Sequence, residues 1–564
     1  MAGTSRLKVV LCWHMHQPEY RDLTTGESLL PWTYLHAIKD YSDMAAHLET
    51  VPEARAVVNF SPVLLTQLET YAEEVTAHLM NRAPLRDALL ASLTPQGIPA
   101  DPAARELLVR ACLKVNRERV IDRFAPFHQL AALAGRLLDA HGMGYAARAF
   151  FVDLAVWYHI GWLGESIRRN DARVVTLVKK ERRYDDTDCR TLLEVIGEIL
   201  TGILPRYRAL AAAGKIELSV TPYGHPILPL MLDFKSAREA VPNLSLPADP
   251  AYPGGEERVR AHLAGAVAQF ERTFGLRPQG CWPSEGAVSD AALRAIEAAG
   301  FTWAATGELT LRHSLTRLKI PEAEQAAKLH RAYRIEGSRL NLYARSDELS
   351  DLIGFSYSKW HGDDAAINLR RHLEQLADSF SGQPERVVAI ILDGENAWEY
   401  FPFNGYFFLS ALYAQLAASP QLELTTFAKC AESAPAAEMA SIVAGSWVYG
   451  TFSTWIGEPA KNRAWEMLCD AKRAYDIVVR AGTMSPAAAE AAQRQLAVCE
   501  GSDWCWWFGE SNPAGQVAAF DDLYRRHLTN LYRLINLAPP AYLAEPFAHG
   551  GGSPELGGVM RRAQ

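Results

Sequence analysis

The most informative part of this chain is Ile390-Ile391-Leu392-Asp393-Gly394-Glu395-Asn396-Ala397-Trp398-Glu399. It completes an apolar, β-branched run that begins at Arg386, and such a run is typical of a fully buried strand in a parallel sheet. The strand ends at Asp393, where a charged side chain is costly for folding. Barrel enzymes keep their catalytic groups at this end of their strands, so Asp393 is either a loop or helix cap or a catalytic residue.

Further apolar runs alternate with helical patterns along the chain. The predicted strands are Leu7–Trp13, Ala56–Phe60, Lys215–Val220, Gln279–Trp282, Phe301–Ala305, Arg339–Ala344, Arg386–Leu392 and Leu422–Thr426. Helices are predicted between them, among others at Glu257–Phe274, Ile367–Phe380 and Tyr406–Ala418. About seven or eight strands in this alternation predict an α/β fold whose parallel sheet closes into a TIM-like barrel.

The same patterns divide the chain into domains. The barrel is expected over residues 1–435, with a large, mostly helical insertion at about 64–210. The pattern then changes to helices, predicted at Arg463–Ala481, Ser485–Cys499 and Phe520–Leu537, so residues 436–545 are expected to form a C-terminal helical domain. The glycine-rich tail 546–564 is expected to be disordered.

Composition excludes several classes of protein. The net charge of −8, without any lysine- or arginine-rich tract, argues against nucleic acid as a partner. No apolar run is long enough to span a membrane. The eight cysteines contain no CxxC pair and are expected to be reduced thiols. Because the start also lacks a signal-peptide core, the chain is expected to be cytoplasmic.

Carboxylates follow two of the predicted strands, and parallel strands end on one rim of a barrel. Two carboxylates suffice to cleave a glycosidic bond, one as nucleophile or base and the other as an acid of raised pKa. Glu285 and Asp393 are the candidates, although Glu285 is also compatible with a carboxylate at a helix N-terminus. Glu395 and Glu399 compete with Asp393 for the acid role, and spacing does not choose among them.

Three histidines follow predicted strands as well. His14 and His16 form an HxH pair at the end of the first strand, and His225 follows the third. This set is compatible with a zinc site that keeps an open position. It is equally compatible with neutral imidazoles that hydrogen-bond to sugar hydroxyls.

These residues resemble the motifs of glycoside hydrolase family 57. Five short segments are similar to the five motifs that define that family, and they occur in the same order: His14-Met15-His16-Gln17-Pro18, Gly224-His225-Pro226, Gly280-Cys281-Trp282-Pro283-Ser284-Glu285, Leu392-Asp393-Gly394-Glu395-Asn396, and Trp455-Ile456-Gly457-Glu458-Pro459 with Asn462 and Trp465. The resemblance covers the chain from about Leu7 to Leu537. A single motif is weak support, whereas five in the right order are strong.

The resemblance implies an incomplete (β/α)7 barrel with a C-terminal helical domain, retention of anomeric configuration, an α-glucan substrate and no metal or other cofactor. It implies Glu285 as the nucleophile and Asp393 as the general acid/base. The residues that it implies for substrate binding are His14, His16, Gln17, His225, Trp282, Glu395, Trp398, Trp455 and Glu458. Trp360 is a further candidate for stacking on a sugar ring.

Within that family, the residues of these motifs are most similar to those of α-amylases and amylopullulanases. A 4-α-glucanotransferase or a branching-type transglycosylase on the same scaffold is the first alternative. A zinc-dependent deacetylase or an α-mannosidase-like hydrolase that uses His14, His16 and His225 is a second alternative, and a non-catalytic glucan-binding protein is a third.

Overall fold

A computed structural model describes residues 6–552 of the protein. One curled sheet lies at the centre of the fold. Over these residues the sheet has ten strands: β1 (Leu7–Met15), β2 (Ala56–Phe60), β3 (Ile216–Val220), β4 (Gly280–Cys281), β5 (Trp303–Thr306), β6 (Tyr333–Ile335), β7 (Asn341–Ala344), β8 (Val387–Asp393), β9 (Leu422–Leu424) and β10 (Ala437–Met439). Seven of them lie side by side and parallel in the order β7-β5-β4-β3-β2-β1-β8. These seven strands form the barrel.

The barrel does not close by regular strand pairing. Near the gap between β7 and β8, the described residues form two isolated bridges: Arg331, before β6, pairs with Arg386, and Arg345, after β7, pairs with Ala389 of β8. Strand β6 instead pairs antiparallel with β7 and carries β10 at the outer edge, while β9 pairs with the first residues of β1. The predicted fold class, an incomplete (β/α)7 TIM-like barrel with additional helices, is confirmed.

Helices fill the connections between the strands. Two long connections are mostly helical: β1 to β2, with helices Trp32–His36 and Ser42–Thr50, and β2 to β3, with helices Pro62–Asn81, Ala88–Ala91, Pro102–Cys112, Ala125–Asp139, Arg148–Trp162, Glu165–Asn170, Ala172–Lys180 and Asp186–Ala212. The later connections contain Leu228–Leu232, Gly255–Phe274, Asp290–Ala298, Glu308–Arg317, Glu322–Gln325, Asp347–Asp351, Gly362–Ser379, Tyr406–Ala418 and Phe427–Ser433. After β10 come Pro459–Arg480, Pro486–Cys499, Asp503–Trp507 and Ala514–Leu534. None of the helices in residues 6–552 is long and apolar enough to cross a membrane.

The eight predicted strands are all present, with ends that shift by up to two residues. The sequence analysis missed β6 and β10, because each has only three residues and lies at the antiparallel edge outside the parallel barrel. It also missed the five-residue helix Asp503–Trp507. The division at residue 435 stays a proposal, and most of the tail predicted to be disordered lies outside the described residues.

Alternation along the strands separates two packing surfaces. Val10 and Cys12 of β1, together with Ala389 and Ile391 of β8, belong to an apolar cluster inside the barrel. The residues between them pack under the surrounding helices in a second, larger cluster. The inward-facing side chains at the carboxyl ends of the strands therefore point into the mouth of the barrel.

Candidate active site

The last inward-facing residues of β1, β2 and β8 have polar side chains. His14 pairs in register with Asn59 of β2 on one side and with Asp393 of β8 on the other. The backbone N–H of Gly394 then donates to the carbonyl of His14 at 2.7 Å. A Cβ on Gly394 would lie 2.1 Å from the sulfur of Met15, so a larger residue here would displace the Met15 side chain. Backbone pairing thus brings an imidazole and a carboxylate together at the mouth.

Glu285 reaches the same mouth from the loop after β4. Its φ of 58° lies in the left-handed region, which costs free energy in a residue other than glycine. The loop around Trp447 holds it there: the backbone N–H of Trp447 donates to the Glu285 carbonyl at 3.0 Å, and the indole N–H donates to Oε2 at 3.0 Å. The sequence analysis missed Trp447, because it follows no predicted strand and belongs to none of the five motifs.

Both carboxyl groups are protonated more readily than in water. Burial raises the pKa of Glu285 to about 8, and the nearby charges of Asp393 and Asp503 act in the same direction. Burial also raises the pKa of Asp393 to about 6, although hydrogen bonding from Asn396 and the charges of His16 and Arg345 oppose it. The two carboxyls therefore lose their protons in separate steps, and the pair holds one proton near neutral pH.

The three predicted histidines lie together as a stack. The rings of His16 and His225 are face to face, with centroids 3.7 Å apart and planes 12° from parallel. His14 lies beside them and its Nε2 is 3.2 Å from Nε2 of His225. Burial lowers the pKa of His14 to about 3 and that of His225 well below its ordinary value, so both are neutral at physiological pH.

A chain of hydrogen bonds fixes the tautomers of these rings. The amide of Asn59 donates to Ser219, so its oxygen accepts from Nδ1 of His14 at 2.7 Å. His14 must then accept at Nε2 from His225, whose Nδ1 in turn accepts from the hydroxyl of Ser502 at 2.8 Å. The same hydroxyl also lies 3.4 Å from Oε1 of Glu285, so its single hydrogen is shared between the imidazole and the carboxylate. Donation to the carboxylate acts to lower the pKa of Glu285, but burial outweighs it.

Asp503 is a third carboxylate that the sequence analysis missed. It begins the short helix Asp503–Trp507, and its Oδ1 accepts from Nε2 of His16 at 2.7 Å. The other ring nitrogen of His16 accepts from Ser61 at 2.7 Å. A signal was present in the sequence, since Asp503 opens the aromatic run Trp504-Cys505-Trp506-Trp507, although no strand precedes it.

Ligand-type atoms of His16, His225 and Asp503 lie within 4.8 Å of one another, which raises the question of a metal. An imidazole binds a metal through a lone pair in the plane of its ring. Because the two rings are stacked and nearly parallel, an ion about 2 Å from one nitrogen and in its ring plane would lie outside the plane of the other ring. The stack favours hydrogen-bonding edges over a shared set of metal ligands.

Glu395 is buried beneath the histidines. Its Oε1 accepts from the side chain of Gln17 at 3.1 Å and from the backbone N–H of His16 at 3.3 Å. Burial, Asp393 and Asp40 raise its pKa well above the ordinary value. Its Oε2 is buried and has no hydrogen-bond partner among the described residues.

These groups line one cavity of about 510 Å³. Its polar end contains Glu285, Asp393, Asp503 and the three histidines, with Gln17 and Glu395. Aromatic side chains form much of the remaining wall, namely Tyr20, Trp32, Trp162, Tyr400, Trp506, Trp507 and Phe520. A buried polar end beside aromatic walls is the lining expected for a binding site that orients a small polar ring.

Other residues predicted to bind substrate lie behind the cavity wall. Trp282 and Trp398 are fully buried; Trp282 packs against Trp447, and the indole of Trp398 donates to the carbonyl of Gly394 at 2.9 Å. Trp455 is also buried and packs against Trp506, a residue of the wall. In this conformation these three rings support the cavity from outside.

The last two candidates lie at the surface. The Glu458 side chain is 46% exposed and forms an ion pair with Lys461 at 2.9 Å. Trp360 is 46% exposed, packs against Tyr357 and is not part of the cavity lining. Direct contact of either residue with a substrate stays a prediction.

A curled parallel barrel with paired carboxylates and neutral histidines at its mouth is the architecture of a carbohydrate-active enzyme. The model of glycosyl hydrolase family 57 matches residues 10–443, more than half of the chain. The chain belongs to glycoside hydrolase family 57.

Solved structures share the fold over nearly the whole chain. A branching enzyme of this family from Thermococcus kodakaraensis aligns with a TM-score of 0.56 at 16% identity, covering 94% of this chain and 90% of its own. The branching enzyme of Pyrococcus horikoshii gives 0.55 at 15% identity and covers 97% and 99%. An α-amylase from Thermotoga maritima gives 0.53 at 14% identity and covers 94% and 93%. At these identities the likeness concerns the fold.

Proposed function

We propose that this protein is a retaining glycoside hydrolase that acts on α-glucans such as starch, glycogen, maltodextrin or pullulan, of the α-amylase or amylopullulanase type. The observation that carries the proposal is the placement of Glu285 and Asp393, with raised pKa values, on one cavity. The aromatic wall of that cavity supports a sugar polymer as the ligand. Branching enzymes and an amylase among the structural neighbours support α-glucans as the polymer.

The reaction proceeds by double displacement. The carboxylate of Glu285 attacks the anomeric carbon while Asp393 donates its proton to the departing glycosidic oxygen. The bond between the anomeric carbon and that oxygen breaks, and a covalent glycosyl-enzyme forms. Water then gives a proton to Asp393 and attacks the anomeric carbon, which releases Glu285 and restores the proton on Asp393.

Substrate binding must move the shared proton. The higher of the two pKa values is that of Glu285, whereas the reaction needs Glu285 ionised and Asp393 protonated. A glycosidic oxygen beside Asp393 accepts a hydrogen bond from the carboxylic acid and stabilises that form, which shifts the shared proton toward Asp393. Positive charge then develops at the anomeric carbon in the transition state, where it stabilises the carboxylate of Glu285.

The three histidines and the helical segments complete the binding site in this proposal. The edges of His14, His16 and His225, with Gln17 and Glu395, bind hydroxyls of the ring at the cleavage point. Trp506, Trp507 and Phe520 come from the helices after β10, which supports a helical domain at 436–545 that contributes to the cleft of a barrel domain at 1–435. The helical insertion at about 64–210 supplies Trp162 to the lining of the same cavity.

A second candidate is transfer to a sugar, as in a 4-α-glucanotransferase or a branching enzyme. The observation that favours it is the aromatic wall, which can hold an acceptor sugar and displace water from the glycosyl-enzyme. In that case a sugar hydroxyl takes the place of water in the second step. The residues and their roles are otherwise the same.

Product analysis tests the proposal. The wild-type protein is incubated with amylose, pullulan and glycogen, with and without maltooligosaccharide acceptors, and the products are separated by chain length. New reducing ends that are first formed in the α configuration, seen by proton NMR, support retaining hydrolysis, and longer or branched products support transfer. If wild-type protein cleaves none of these glucans, or forms β products first, the proposal is wrong.

We also propose a cytoplasmic location. All eight cysteines are free and buried, as is usual for proteins of a reducing compartment. Fractionation of the native cells with an antibody to the protein tests this proposal, and recovery from the medium or the cell envelope would contradict it.

A further inference from the structure

A four-residue segment links two helices to the active site. Residues 500–503 run from the end of the helix Pro486–Cys499 to the first residue of the helix Asp503–Trp507. Two of its side chains point to the catalytic groups: Ser502 bonds to His225 and lies next to Glu285, and Asp503 bonds to His16. The third polar side chain, Glu500, does not line the cavity and points into the protein.

Glu500 lies at the centre of a buried polar cluster. Its carboxylate accepts from the guanidinium of Arg258 at 2.8 and 2.7 Å, from Nε2 of His262 at 2.7 Å and from the hydroxyl of Tyr252 at 2.6 Å. Burial acts to raise the pKa of Glu500, but Arg258 and His262 outweigh it and hold the pKa far below the ordinary value. Glu500 is therefore a buried anion whose oxygens are held by three different side chains.

The same cluster also holds the loop that carries His225. Nδ1 of His262 accepts from the backbone N–H of Gly224 at 3.1 Å, and the backbone N–H of Ser502 donates to the carbonyl of His225 at 2.9 Å. A Cβ on Gly224 would lie 2.1 Å from the carbonyl oxygen of Ala497, so the end of the helix abuts this loop directly. Glu500 thus fixes the helical segment to the barrel at the point where both enter the active site.

We propose that Glu500 is a positioning residue of the reaction: its buried carboxylate anchors residues 500–503 so that Ser502 and Asp503 reach His225, Glu285 and His16. The inference rests on the proposed glycosidase function. The negative charge of Asp503 acts on Glu285 from a distance that this anchor sets. When the anchor is loosened, Asp503 and Ser502 move, and the groups around Glu285 lose their defined spacing.

The test compares two buried carboxylates of the same kind. Glu500→Gln keeps the shape of the side chain but removes the charge that binds Arg258 and His262. Glu165→Gln is the matched control, because Glu165 is equally buried and is held by Arg123, Arg168 and Arg169 away from the cavity. Both variants are expected to lower the melting temperature.

The two variants are expected to differ in kinetics. Glu500→Gln should lower kcat about 10-fold or more with KM within about 3-fold, because a small misplacement of catalytic groups acts on the rate. The alkaline limb of its kcat/KM profile should move to lower pH, because Asp503, whose charge raises the pKa of Glu285, is displaced. Glu165→Gln should keep the wild-type kcat and pH profile at a temperature where it is folded.

Two more variants keep the test decisive. Tyr252→Phe removes one hydrogen bond to Glu500 and leaves the ion pairs, so it should fold and show a smaller change in the same direction. In a Glu500→Gln/Asp503→Asn double variant the losses in kcat should not add, because both act through one segment. Wild-type kcat and pH profile in folded Glu500→Gln, or full additivity, would overturn the inference, whereas a wild-type protein inactive on all glucans would overturn the proposed function instead.

Discussion

His14 and Asp393 face each other across the parallel pairing of β1 and β8, and the next residue, Gly394, donates its backbone N–H to His14 at 2.7 Å. Asp393 is therefore placed by the backbone of two central strands. Within residues 6–552, its side chain receives one hydrogen bond, from Asn396 at 2.9 Å. A change of the carboxyl group to an amide can for this reason alter the chemistry without moving the strand.

We expect Asp393→Asn to show a strong dependence on the leaving group. Starch cleavage should be lost, while aryl α-glucosides with acidic leaving groups, which need little protonation, should still form the glycosyl-enzyme. Added azide should restore turnover, because it attacks that intermediate without a base. Initial rates across a series of aryl glycosides measure the effect.

Glu395→Gln is the comparison for this prediction, since Glu395 is also buried and also has a raised pKa. It should weaken substrate binding and leave the dependence on the leaving group as in the wild type. If Glu395→Gln shows the dependence and azide rescue while Asp393→Asn does not, then Glu395 is the acid.

The pH profile should follow the two carboxyl groups. Activity needs one proton on the pair, so kcat/KM should fall below about pH 6, where both groups become protonated, and above about pH 8, where both ionise. Both the acid and the alkaline limb of this profile report the two carboxyl groups as a coupled pair, not one residue each. A profile measured with a soluble maltooligosaccharide that stays flat from pH 5 to 9 would contradict the raised pKa values.

Glu285→Gln should stabilise the protein more at high pH than at low pH. A glutamate has a pKa of about 4.3 in the unfolded chain, and that of Glu285 in the folded protein is about 8. Below about pH 4.3 the group is protonated in both states; as the pH rises through 8, the folded state loses stability relative to the unfolded state. The melting temperature of the variant minus that of the wild type should therefore increase between pH 5 and pH 9. A difference that stays constant over this range would contradict the raised pKa of Glu285 in the folded protein.

Activity should survive removal of divalent metals. Because the rings of His16 and His225 are stacked, they present edges to a sugar and not two converging lone pairs. Dialysis against EDTA should leave the rate on starch unchanged, and added Zn²⁺ should not increase it. Loss of activity in EDTA with recovery in Zn²⁺ would favour the zinc-dependent hydrolase.

Trp447→Phe should slow the reaction because it removes the indole donor to Oε2 of Glu285. That hydrogen bond lowers the pKa of Glu285, so its loss makes the carboxylate form scarcer and leaves it less well oriented. A loss of kcat of roughly 10- to 100-fold is expected, by analogy with the removal of a single donor at other active sites. Trp157→Phe is the control, because it removes a buried indole donor, to the carbonyl of Glu181 at 2.7 Å, outside the cavity lining.

Sequence patterns were sufficient wherever the signal was local. The apolar run before Asp393 and the HxH pair after β1 predicted both the barrel and the place of their side chains, because alternation and strand ends are properties of neighbouring residues. Trp447 and Asp503 could not be predicted in this way. They reach the site through loops after β10, and their role depends on how these loops pack on the barrel, which no local pattern records.

The hydrogen bond between His16 and Asp503 also has a consequence for folding during protein synthesis, because these two residues are 487 positions apart in the chain. A ribosome delivers the N-terminal residues first, at roughly 5–20 residues per second. Strand β1 thus waits for several tens of seconds before its last active-site neighbour exists, and contacts of such long separation are slow to form. Each newly made molecule passes through a period in which the barrel strands are present but the groups around Glu285 are incomplete.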